Sequence, residues 1–137
     1  MNPADLTMIR ADAAHFDALG PALAEEFYAG LFELSPTSRQ LFPDDLDAQR
    51  RKLMDELATL VDLAVHVGGG REAELDRRAA DLGRRHVDYG TEPDHYTLVG
   101  EALLLALEVT VPGWTDEHRS AWARLYRAVA DAMLHGS

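Results

Sequence analysis

The chain has no cysteine. That excludes disulfides, thiolate metal sites and a thiol nucleophile, and it suits a cytoplasmic location. Basic residues are scarce: 13 Lys and Arg stand against 24 Asp and Glu, a formal charge of −11. Such a charge repels phosphate backbones, so no nucleic acid partner is expected. Alternating apolar and polar runs are absent, which argues against strands. Long hydrophobic runs are absent too. The most apolar stretch, residues 98–111, is interrupted by Glu101 and Glu108. It is too short to cross a bilayer, so no membrane partner is expected. Residues 1–5 have neither the basic nor the apolar part of a signal peptide. No internal repeat or low-complexity segment is evident.

What is present reads as helix. With 137 residues, 47% of them hydrophobic, the chain suffices for one domain, residues 1–137, with a real core. An opening helix is expected over roughly residues 5 to 18, broken at Leu19-Gly20-Pro21. A second helix turns Leu23, Phe27, Leu31 and Leu34 inward. Ser35 as cap and Pro36 in the first turn start a short helix that ends at Leu41-Phe42-Pro43. A longer helix places Leu46, Gln49, Leu53, Leu57, Leu60 and Ala64 on one face, and Gly68-Gly69-Gly70 ends it. Leu75, Ala79, Leu82 and His86 then share a face. That helix stops near Gly90, and residues 91–94 restart the chain with capping residues. The apolar helix runs to about Val109, Pro112-Gly113 break it, and Thr115 caps a last helix striped by Trp122, Leu125 or Tyr126, Val129 and Met133. Seven or so uneven helices predict an all-α fold other than a four-helix bundle.

Few residues stand out chemically. The triple glycine lacks the Lys-Ser/Thr of a phosphate loop and follows no strand. The carboxylates read as solvated faces, with none on an inward stripe beside a partner. His86 and His95 are nine residues apart across a helix break, which is not the spacing of a zinc or di-iron helix motif. His86 itself is a polar ring at the end of an apolar stripe, and burying it without a partner is costly. The residues alone leave it either a satisfied core histidine or a metal ligand. Tyr28 adjoins Phe27, and Gln49 lies one turn before Leu53. Each fits amphipathic packing with its polar tip at the surface. A tyrosine, a glutamine and a histidine turned partly inward on three helices nonetheless suggest something held between them.

Phe27-Tyr28-Ala29-Gly30-Leu31-Phe32, then Leu41-Phe42-Pro43, Gln49-Arg50-Arg51-Lys52-Leu53-Met54 and Leu82-Gly83-Arg84-Arg85-His86 occur in that order. Gly90, His95-Tyr96, Val99-Gly100, Ala121-Trp122 and Tyr126 follow. Together, over roughly residues 20 to 133, they resemble single-domain bacterial globins and the haem domain of flavohaemoglobins. The resemblance implies a globin fold around one haem b, iron protoporphyrin IX. His86 becomes the proximal iron ligand, its other ring nitrogen donating to a carbonyl near Leu82. Phe42 stacks on the porphyrin, and Val99 lines it. Tyr28 and Gln49 offer hydrogen bonds to dioxygen, and Leu53 limits the space there. Lys52 and Arg85 are candidates for the propionates, with ordinary surface cations the equal alternative.

Two departures from the family bear on function. Flavohaemoglobins pair the proximal histidine with a tyrosine and a glutamate. Tyr96 stands at the tyrosine position, whereas Ser137 falls where the glutamate would be. Peroxidase-like chemistry is therefore not expected, unless Glu101 or Asp131 supplies the carboxylate. No flavin or nicotinamide domain follows, so electrons would come from an external reductase. The reading is a ligand-binding globin that takes up dioxygen reversibly, with no catalytic residue assigned. The alternatives are nitric oxide dioxygenation with a separate reductase, a haem-based gas sensor, and a haem-free helical scaffold.

Overall fold

The computed structural model describes residues 3–65, 77, 78, 81 and 93–136, which among themselves form only helices and turns. Among the described residues, five α-helices and one 3-10 turn can be delimited. They are α1 (Pro3–Ala13), α2 (Phe16–Leu34), the turn Pro36–Leu41, α3 (Asp47–Val65), α4 (Pro93–Thr110) and α5 (Asp116–Gly136). The expected glycine loop at Gly68-Gly69-Gly70, the expected helical end at Leu82 to His86, and Gly90 to Glu92 lie outside the described residues. Arg77 and Arg78 are helical and exposed. Arg78 reaches α3, its Nε 3.1 Å from Glu56 Oε1. None of the described helices is long and apolar enough to cross a membrane.

α2 packs most extensively on α4; α3 packs on α2, α5 on α4, and α1 packs on both α3 and α5. The expected stripe of α2 is buried at Leu23, Phe27 and Leu31. Leu34 departs from it: the helix ends there, and the side chain is 41% exposed. α3 turns Leu57 and Val61 into the core, and α5 contributes Trp122, Leu125, Val129 and Met133. α4 buries Ala102, Leu103, Ala106 and Leu107 against α2.

The first break differs from expectation. The chain turns at Ala14 and His15, and α2 then runs straight through Pro21. Proline removes one donor and leaves the Asp17 carbonyl without its helical partner. Both residues are exposed, so water can satisfy that carbonyl. Gly20 beside it is buried, facing the Met54 side chain of α3. The Gly-Pro pair therefore marks a helix–helix contact rather than a break.

Ser35 also behaves differently from a capping serine. Its side chain caps nothing; its backbone N–H donates to Leu31 O at 2.8 Å. The hydroxyl that anchors the turn is that of buried Ser38, which donates to Ser35 O at 2.7 Å. Pro36 does open the turn. At the other corner, Gly113 takes a φ of +68° between α4 and α5, a left-handed conformation that favours glycine.

Two carboxylates overturn the solvated-face reading. Asp5 and Asp12 are buried on the same side of α1 as Ile9. Arg124 grips Asp5 with two bonds of 2.6 Å. Asp12 Oδ2 accepts from Trp122 Nε1 at 2.8 Å and lies 2.8 Å from His118 Nδ1. A buried carboxylate needs such donors, and α5 supplies these three.

Candidate distal pocket

Helical spacing brings Tyr28 to the buried side of α2, one residue after Phe27. Phe27 meets its ring edge-on, with centroids 4.9 Å apart. Phe42 also meets it edge-on at 5.5 Å, from the segment after the 3-10 turn. Phe32 completes the group, 5.9 Å from Tyr28 and 5.7 Å from Phe42. Such tilted and edge-on pairs suit the ring quadrupoles.

The polar end of Tyr28 meets α3. Gln49 stands near the hydroxyl there. Burial pushes the phenol above its ordinary pKa, while the nearby Gln49 side chain and Arg50 charge pull the other way. Tyr28 thus keeps its proton at neutral pH. Arg50 pairs with Asp47 at 3.1 Å. Its Nε is a buried donor with no hydrogen-bond partner among the described residues.

Leu53, one turn beyond Gln49, is half-buried and packs against the core, as do Phe42 and Val99. Lys52 is exposed on α3. Tyr96 is buried on α4, and its carbonyl accepts from the Tyr126 hydroxyl at 2.5 Å. The Tyr126 ring lies so close to Gly100 that a Cβ there would come 2.6 Å from Cε2. Glycine at that position is what lets α5 bring its tyrosine onto α4. Glu101 and Asp131 are both exposed, and Glu101 lies 3.7 Å from Arg119. His86, Arg85, Leu82 and Ser137 lie outside the described residues.

The structure therefore joins Tyr28, Gln49 and Phe42 in one cluster drawn from three segments. It also shows two residues that sequence reasoning passed over, Arg39 and Arg50. Arg50 lies four residues after Leu46 and four before Met54, on the half-buried side of α3. That spacing was open to the same periodicity argument as Gln49.

An all-α fold holds a buried tyrosine beside a half-buried glutamine of the next helix, walled by aromatic rings. The chain belongs to the globin family, whose family model, described as Globin, matches residues 25–133. It is 32% identical over 119 residues to an uncharacterized globin-like protein of Aquifex aeolicus (strain VF5), covering 84% of this chain and 78% of that one. It is 29% identical over 131 residues to Flavohemoprotein A of Dictyostelium discoideum, covering 94% of this chain and 32% of that one. For the flavohemoprotein of Bordetella pertussis the identity is 27% over 135 residues, with 98% of this chain and 33% of that one covered. The chain thus spans about a third of the flavohemoproteins it matches. Among solved structures, a bacterial globin from Campylobacter jejuni superposes with a TM-score of 0.78 at 20% identity. That match covers 98% of this chain and 95% of the other, and it shows the globin fold.

Proposed function

We propose that residues 1–137 form one globin domain that binds haem b and takes up dioxygen reversibly. The observation that carries this is the buried Tyr28 hydroxyl, with Gln49 and Arg50 beside it, inside an aromatic wall. The residues present fit a flat apolar group bearing a small polar ligand. Phe42, Leu53 and Val99 are apolar side chains left half-covered by the protein. Tyr28 holds a phenolic proton, and Arg50 Nε is a buried donor without a partner among the described residues. Haem, when bound, supplies a redox-active iron that takes diatomic ligands. His86 is the residue proposed to ligate it, with Tyr96 nearby and Lys52 and Arg85 toward the propionates. Tyr28 donates to the ligand, Gln49 orients the Tyr28 hydroxyl, and Leu53 restricts the space. Phe42 packs against the porphyrin face.

A spectrum of the purified protein with and without added haemin tests this. A Soret band is expected on titration to one equivalent. His86→Ala is expected to give a folded, haem-poor protein rescued by imidazole. If His86→Ala keeps a normal histidine-ligated spectrum, the ligand assignment is wrong.

The relation to flavohemoproteins supports a second reading: nitric oxide dioxygenation, with electrons from a separate reductase. Tyr28 and Gln49 serve it equally. Nitrate formed from nitric oxide only when a reductase is supplied would favour it over storage or delivery. The proposed setting for either role is the cytoplasm.

A further inference from the structure

Arg39 is the fourth residue of the 3-10 turn, and its side chain is spent on the segment that follows. Its Nη1 donates to Phe42 O at 3.2 Å and to Pro43 O at 2.9 Å. Its Nη2 donates to Asp44 O at 3.0 Å. Its own carbonyl accepts from the Phe42 backbone N–H at 3.2 Å. The N–H bond belongs to the turn's backbone, and the Phe42 carbonyl is held by the arginine side chain. The guanidinium also lies over the Phe32 ring, 5.2 Å from its centroid. Phe32 in turn touches Phe42 and Tyr28. The fork thus ties the chain path to the aromatic wall from two directions.

A flexible turn could satisfy these carbonyls with water. Donation from a cation is about twice as strong as a neutral hydrogen bond, and a planar fork loses little freedom in making several at once. Lysine has the charge but neither the fork nor the flat face for Phe32.

We infer that Arg39 is the positioning residue for Phe42: by fixing the Phe42 carbonyl and the two that follow with its side chain, it sets the ring's angle in the pocket and the retention of haem there. The retention part rests on the haem reading above; the positioning part does not.

The test uses the full chain with Arg39→Gln and Arg39→Lys. In the apoprotein, the ring-proton NMR shifts of Phe42 are expected to move in both variants. Unchanged shifts would overturn the positioning role, whatever the protein does with haemin. In the haemin-loaded protein, transfer to an excess of a haem-scavenging acceptor is expected to accelerate about tenfold in both variants. In a Phe42→Leu background, Arg39→Gln should add less than about twofold, because the arginine acts through that ring. Normal retention in Arg39→Lys would show that charge alone matters, as for a propionate partner, and would overturn the inference. So would an undiminished effect of Arg39→Gln in the Phe42→Leu background. Failure of the unsubstituted protein to take up haemin would sink the proposed function and the retention claim, while the apoprotein shifts would still decide the positioning claim.

Discussion

Tyr28 holds a proton that its surroundings make hard to remove and easy to share. Burial keeps the phenol neutral, and Gln49 stands beside it. A phenol has a more acidic proton than an amide, so it is the stronger donor to a ligand that gathers negative charge. Tyr28→Phe is therefore expected to raise the dioxygen dissociation rate more than Gln49→Leu does. Stopped-flow release rates ranked the other way would show that the glutamine makes the decisive contact. Phe42 is a different kind of residue. It has no polar side chain to offer, and what matters is where Arg39 holds its backbone. Nothing about an arginine in a short turn announces three backbone carbonyls as its targets. Its position in Pro36–Leu41 follows no apolar period, so periodicity could not single it out.

At the level of elements, what could be read from the sequence was faces, and what could not was which faces meet. Leu23, Phe27 and Leu31 follow a helical period, and all three are buried. The same period says nothing of Pro21, whose effect on α2 depends on whether water can reach a single carbonyl. The Tyr28–Gln49 pairing was legible only through family resemblance, because the angle between α2 and α3 is set by the whole core. The opposite lapse concerns α1. Asp5, Ile9 and Asp12 are spaced four and three residues apart, an inward stripe in plain view. Two carboxylates on it were discounted because their partners stand more than a hundred residues away. The packing of α1 on α5 depends on them. Asp12→Ala would strand the Trp122 and His118 donors, at a cost of about 2 kcal/mol in urea unfolding. A loss within about 0.5 kcal/mol, typical of surface changes, would show that water replaces the carboxylate.

For the whole molecule, alkaline pH tests how the tyrosines are packed. Tyr126 is pushed well above the ordinary phenol range, first by burial and then by Tyr96, with a Gly100 backbone hydrogen bond opposing. Tyr28 and Tyr96 are raised as well, both mainly by burial. A raised phenol keeps its proton in the folded chain after the unfolded chain has lost it. The folded state then binds more protons, so stability falls as pH rises. This contribution is whole below the unfolded value of about 10 and is lost as pH climbs toward the folded values. The urea midpoint should drop above about pH 10, and less steeply in Tyr126→Phe. An equally steep drop in that variant would assign the loss to other groups. The buried carboxylates of α1 carry a consequence of another kind, set by the order in which a ribosome builds the chain. Asp12 is made 106 residues before His118 and 110 before Trp122. At about 5–20 residues per second, that separation lasts on the order of 5 to 20 seconds. Throughout it, the α5 donors do not yet exist, so the docking of α1 against α5 belongs to the end of synthesis.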